Sequence, residues 1–303
     1  VALRRVDMAR NVYWHLPGFC VNFYLNQVII NLMHEYPDKF RDGYKVGSVY
    51  GTFPGAIWNG GRAVIGMMQK SQMKQILDTY EKLDAPVRFT WTNSLIEEEH
   101  LNDTYCNMIM KLADNGHNQV LCNSEVLEHY LRERYPGFEY ISSTTKRIKN
   151  LEDFTKELDK DFFMVVLDYD LNHDEKVLKA LEPQASRVEI LVDEVCFPNC
   201  PMRSNHYLAE SRQQLEFDRG KPFPCPNFKK APSFEDARKR PAFISNDEIG
   251  SYIDRGFVNF KLVGRGLPES LVMDSYLYFL VKDEDRDFIS DKLKKTLMRI
   301  RQS

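Results

Sequence analysis

Short β-rich runs alternate with amphipathic helical stretches from one end of this chain to the other, and that order constrains the fold more than any other feature of the sequence. Residues 12–16, 44–50, 87–92, 119–122, 138–142, 162–168, 188–193 and 258–263 read as strands. Between them apolar side chains recur at helical spacing. Met73, Ile76, Leu77, Tyr80 and Leu83 form one such set, Tyr105, Met108, Ile109 and Leu112 a second, and Val126, Leu127, Tyr130 and Leu131 a third. Side chains at i, i+3, i+4 and i+7 share one helix face, and strands separated by such helices pair in parallel with the helices covering the sheet. Ser124 and Asn150 stand where N-caps open the following helices, while Asn115-Gly116 and Pro136-Gly137 close the preceding ones. Eight strand-helix units predict an α/β fold, a (β/α)8 TIM-type barrel. A doubly wound open sheet is the alternative, but no strand leads into a Gly-x-Gly-x-x-Gly turn.

The expected organisation is a single barrel domain over 1–303, with strands 1–7 in 11–200 and the strand 8 unit and terminal helices in 248–303. Between these lies an irregular excursion, 201–247, rich in Pro, Arg and Lys, with one helical stretch near 208–217. Because it follows the seventh strand, it is expected to fold over the C-terminal face, where barrels build their sites. No apolar run approaches the roughly 20 residues of a membrane span, and 43% hydrophobic with 28% charged residues is ordinary for a globular chain. No membrane is therefore expected among its partners. A net charge of -3 gives no general attraction to nucleic acid, which leaves Lys229-Lys230 and Arg238-Lys239-Arg240 as a local basic patch. Met8 reads as a natural start, and the short apolar run 11–16 lacks the length of a secretion signal, so a reducing cytoplasm is the expected location. Six cysteines without dense spacing point to burial or metal binding before disulfides.

The seventh strand runs straight into Cys196 and Cys200, and Cys225 lies between two prolines in the excursion. Thiolates suit iron-sulfur clusters or zinc, and either metal centre usually takes four ligands. Cys20 follows the first strand, and barrel loops from different strands meet on one face, so it is the candidate fourth ligand. Cys122 or a zinc-binding His206 are substitutes, whereas Cys106 falls in a helix and reads as core. Thiols buried for packing alone are the competing account.

A second constellation comprises polar residues at or just past strand ends: His15, Asn93, Asn123, Ser142, Asp168, Asp170, Glu194 and Arg265. Arg265 can hold a carboxylate or phosphate through two hydrogen bonds. Asp168 or Glu194 can serve as general acid or base if burial shifts its pKa, although these residue types also cap helices and turns. His117 and His173 read as solvated. Tyr13, Trp14, Phe19, Phe23 and Tyr24 are expected in the core, with a pocket for a planar substrate as the alternative. Neither a Gly-x-Ser-x-Gly elbow nor a His-Glu-x-x-His helix occurs, so hydrolysis has no direct support.

Residues 249–265, ending Lys261-Leu-Val-Gly264-Arg265, resemble the helix, glycine and strand that lead into the Lys-Ile-Glu-Gly-Arg signature of the collagenase-like peptidase superfamily. Residues 118–136 and 165–175 are similar to other strand-helix units of that superfamily, in the same order. The resemblance implies a barrel fold and, for many members, oxygen-independent hydroxylation acting on RNA or a quinone precursor, with a four-iron, four-sulfur cluster (4Fe-4S) on four cysteines. Cys196, Cys200 and Cys225 match that region in kind and order. Two departures stand out: 239–245 lacks the fourth cysteine, and Val263 replaces the signature glutamate. The expectation is thus an iron-sulfur or zinc enzyme acting on RNA or a small aromatic or carboxylate substrate. A catalytically lapsed barrel that binds protein or RNA through 201–245 is the alternative, and a peptidase a further one.

Overall fold

The computed structural model describes residues 11–218, 220, 221, 223–225 and 231–302. Eight strands close a parallel barrel in sequence order: β1 (Val12–Pro17), β2 (Tyr44–Gly51), β3 (Val87–Trp91), β4 (Gln119–Cys122), β5 (Glu139–Ser142), β6 (Met164–Val166), β7 (Val188–Leu191) and β8 (Asn259–Lys261). β1 closes the ring on β8, with Tyr13, Trp14 and His15 in register with Asn259, Phe260 and Lys261. All eight expected strands are present. Several are shorter than their apolar runs: 162–168 contributes only the three residues of β6, because a strand ends where its neighbours stop pairing, whatever the side chains beyond.

Helices α1 (Phe23–Glu35), α2 (Lys70–Lys82), α3 (Thr104–Ala113), α4 (Glu125–Arg134), α5 (Leu151–Leu158) and α6 (Glu175–Leu181) surround the ring. They are followed by α7 (Arg203–Leu215), α8 (Phe234–Arg238), α9 (Asn246–Asp254), α10 (Glu269–Leu280) and α11 (Arg286–Gln302). Met73, Ile76, Leu77 and Tyr80 form the buried stripe of α2 as expected. In α3 the buried stripe is Cys106, Ile109, Met110 and Ala113, so the expected face is turned: the small thiol and methyl groups let the helix approach the barrel, and Tyr105, Met108 and Leu112 flank the contact. Ser124 and Asn150 accept from the backbone N–H groups of Leu127 and Asp153, the N-caps expected of them. No helix among the described residues is long and apolar enough to cross a membrane.

After β7, helix α7 lies at the C-terminal end of the barrel, where Arg203, His206 and Tyr207 line the mouth. This helix starts earlier than the pattern suggested and docks on the loop between β2 and α2. Glu210 Oε2 accepts from Ala63 N at 2.6 Å, and Gln214 Oε1 accepts from Val64 N at 2.6 Å and from Asn59 Nδ2 at 3.2 Å. Asn93 Nδ2, just past β3, donates to Ser211 O at 3.0 Å. Four loop and helix groups thus fix α7 as a strap over the mouth, and buried polar groups left without such partners would be costly.

Candidate functional site

The barrel interior is unusually charged. Arg88 of β3, Glu189 of β7 and His15 of β1 are each at most 1% exposed, and Lys261 of β8 joins them. Arg88 forms an ion pair with Glu189 through Nη1, donates from Nε to Gln119 Oε1 at 2.8 Å, and directs Nη2 to His15 Nδ1 at 2.9 Å. A guanidinium only donates, so His15 Nδ1 accepts and its proton sits on Nε2, which faces Asn259 Oδ1 at 3.3 Å and Glu189 Oε2 at 3.4 Å. Burial, reinforced by Arg88 and opposed by Glu189, draws His15 down to about 3, so its ring is neutral at physiological pH. Burial pushes Glu189 upward, but Arg88, Lys261 and His15 together overcome it and hold the carboxyl well below the usual range. His15 was expected at the mouth. It lies instead in the interior and lines a cavity at the opposite, N-terminal end, because its side chain, three residues into β1, points inward below the last layer.

At the C-terminal end a cavity of about 150 Å³ opens among the ends of β2, β3, β4, β7 and β8 and the strap α7. Its wall carries four cations, Arg62, Arg203, Lys261 and Arg265, against one carboxylate, Glu194. The three arginines spend their hydrogen bonds on neutral acceptors. Arg62 donates to Gly61 O at 3.2 Å, Arg203 Nη1 to Tyr207 Oη at 3.0 Å, and Arg265 to Thr90 Oγ1 at 2.9 Å, Asn59 Oδ1 at 3.0 Å and Gly60 O at 3.2 Å. Arg203 is only 4% exposed, stacks on the Tyr169 ring at 4.5 Å, and leaves Nη2 without a hydrogen-bond partner among the described residues. Burial draws Arg265 down to about 10. A buried guanidinium nitrogen with no acceptor costs free energy, and an anion in the cavity would remove that cost.

The expected site residues divide accordingly. Glu194, Arg265 and Cys196 line the cavity. Glu194 Oε1 also accepts from Cys196 N at 2.9 Å, fixing the turn that leaves β7. His206 lines the cavity too, stacked on Phe223 at 4.8 Å and hydrogen-bonded to Glu210 at 3.2 Å. Asp168 does not reach it: one carboxylate oxygen lies 2.7 Å from Arg147 Nη1, and the other accepts from Asp170 N. Burial pushes its pKa up and Arg147 opposes this, which makes it a buried ion-paired cap. Asp170 likewise serves Arg147, Lys149 and Asn199 N, Ser142 donates to Glu157, and Asn123 to Thr145. Trp14 and Phe19 are wholly buried in the core, while Tyr24 is half exposed, so the aromatic set forms no single pocket.

Cys20 and Cys196 have different surroundings. Cys196 neighbours Cys200, Arg203 and Tyr169, whereas Cys20 neighbours Tyr80 of α2 and Tyr105 of α3. The turn at Gly18 carries Cys20 outward into the helical layer, where burial pushes its thiol up to about 11. Cys122 is buried beside Glu128 and Lys146, and Cys106 is in the core as expected. Among the described residues no group of three or more His, Cys, Asp and Glu side chains is arranged to hold a metal ion. Among the described residues, then, no arrangement matches a four-thiolate cluster or a tetrahedral zinc.

Lys261, Arg203, Arg62 and Tyr50 were not singled out as site residues by sequence. The available signal was a charged residue inside an apolar run, as in Val-Arg88-Phe, Val-Glu189-Ile and Phe-Lys261-Leu. Such charges are rarely buried without partners.

No family model matches the chain, and no curated protein matches it. Among solved structures it is similar to the U32 peptidase Mk0906, with a TM-score of 0.55, 15% sequence identity, and coverage of 85% of this chain and 94% of that one. U32 is the collagenase-like peptidase family, so the likeness expected from the sequence is met at the level of the barrel fold.

Proposed function

We propose that this chain is a divergent barrel of the collagenase-like peptidase kind whose mouth binds a small anionic ligand, a carboxylate or a phosphate. The observation that carries this reading is Arg203: a buried guanidinium, held by aromatic stacking beside a cavity, with one nitrogen left unpartnered. Arg62 and Arg265 on the same wall, bound to neutral acceptors alone, supply the rest of the field. Ligand pockets usually run from about 300 Å³ upward, so a cavity of about 150 Å³ favours a ligand of few heavy atoms.

The basic excursion supports an RNA-contact reading less well. Lys229 and Lys230 lie outside the described residues. Arg238 pairs with Glu235 and stacks on Tyr278, Lys239 pairs with Glu235, and Arg240 donates to Val195 O. Cations already engaged in packing are poor candidates for phosphate contacts.

Calorimetric titration and thermal shift of the full chain with pyruvate, acetate and inorganic phosphate, against chloride at equal ionic strength, test the reading. Saturable binding of at least one of these anions is expected, weakened tenfold or more by Arg203→Gln and by Arg265→Gln. No binding of any of the three would sink it.

A further inference from the structure

Among the described residues, Lys261 is the one group of the mouth cavity that is both a potential nucleophile and part of the buried charge cluster. It ends β8, is 6% exposed, and lines the cavity. Its Nζ lies 3.3 Å from Glu189 Oε1 and 4.2 Å from the centre of the Tyr50 ring. Glu189 is not its own counter-ion, because the other carboxylate oxygen is held by Arg88 and approached by His15. One carboxylate therefore serves two buried cations. With His15 neutral, the cluster carries one excess positive charge, and loss of a proton from Lys261 removes it. Burial is the main cause that draws the Lys261 ammonium down to about 8; Glu189 opposes it, and Arg88 and Arg265 add to it.

We infer that Lys261 is a reactive amine that condenses with a small carbonyl compound carrying a carboxylate or phosphate, such as a 2-oxo acid. This rests on the proposed anion site, which would hold the charged end while the carbonyl carbon meets Nζ. The amine in its neutral form attacks the carbonyl carbon, a C–N bond forms, and the carbinolamine loses the former carbonyl oxygen as water. The balance is ammonium plus carbonyl giving protonated imine plus water, so no oxidant, reductant or net proton is needed. The nitrogen is cationic in the resting ammonium and again in the protonated imine, and Glu189, 3.3 Å away, faces it in both. Schiff-base formation is a nucleophilic use of a desolvated lysine beside another cation, and the excess charge of the cluster supplies the means of activating it.

Borohydride trapping tests the inference. The full chain is incubated with pyruvate in one arm and dihydroxyacetone phosphate in the other, reduced, and mapped by peptide mass spectrometry. The expected result is a reduced adduct on Lys261 in at least one arm, at least tenfold above any surface lysine, suppressed by Lys261→Arg and by excess lactate, which has the charge but no carbonyl. Lys261→Met provides a second variant if the arginine crowds the cavity. Thermal shift with the same probes separates the two claims. Probes that bind without a Lys261 adduct, or adducts spread evenly over surface lysines, overturn the amine while leaving the anion site. Absence of binding overturns both.

Discussion

Arg88 on β3 reaches across the barrel to Glu189 on β7, four strands away around the ring, and both side chains are wholly buried. An interior of branched apolar residues would be the default for such a barrel. Here the pair replaces that packing, and its cost in desolvation is met only because Gln119, His15 and Lys261 complete the network.

Removing the shared carboxylate should therefore be severe. Glu189→Gln leaves Arg88 and Lys261 buried together with no anion, and a loss on the order of 3–5 kcal/mol is expected. Urea denaturation at pH 7 measures it. A loss below about 1 kcal/mol, the value of an exposed pair, would show that water reaches the cluster.

Asp193, just past β7, makes the opposite contribution. It is wholly buried, accepting from Val263 N at 2.8 Å and Ser275 Oγ at 2.9 Å. Burial pushes its pKa up to about 7 despite those two bonds. The unfolded carboxyl, near 3.8, gives up its proton first, so as pH rises from about 4 to about 7 this group takes stability away, and the full penalty remains above 7. Asp193→Asn should be more stable than the parent at pH 8, by at most about 4 kcal/mol, with the difference vanishing near pH 4. Melting curves of the two proteins across that range provide the check, and a parallel pair of curves would refute it.

Gly60 ties stability to the mouth. A Cβ there would lie 2.3 Å from Thr92 O and 2.4 Å from Thr92 C, backbone atoms that cannot swing aside. The carbonyl of Gly60 also accepts from Arg265. Gly60→Ala should cost about 1–3 kcal/mol and weaken anion binding in step with the displacement of Arg265. Unchanged affinity alongside lowered stability would show that Arg265 is held by Thr90 and Asn59 alone.

Protein purified without oxygen in the presence of iron and sulfide should be colourless, and chelator treatment should leave its melting temperature unchanged. The separation of Cys20 from Cys196 and the absence of any three-ligand group among the described residues motivate this. Brown protein with stoichiometric iron and sulfide would overturn it.

The barrel was legible because each strand is a compact apolar run set off by caps that the structure confirms, Ser124 and Asn150 among them. What could not be read was the direction of individual side chains. His15 and Lys261 are partners in register across β1 and β8, yet one lines the cavity at the N-terminal end and the other the mouth, a difference that position in a run does not announce. Glu194 and Arg265 line the mouth cavity, as groups just past a strand are placed to do. The residue pattern does not disclose the place of Asp168, since nothing local announces that Arg147 will fold back on it at 2.7 Å. For Cys20 too the decisive feature is not local to the residue: the turn at Gly18 sets the course of the chain that carries the thiol.

The strap also imposes an order of assembly. Glu210 binds the backbone of Ala63 across a sequence separation of 147, and Arg203 belongs to the same helix. A nascent chain that has completed β1 to β7 thus possesses a nearly finished ring but no ligand cavity. Two walls are still to come, α7 with Arg203 and the end of β8 with Lys261 and Arg265, and such distant contacts form late and slowly. An anion bound at the mouth would then act as a fastener between early and late halves of the molecule, adding its binding free energy to the closure of the whole ring.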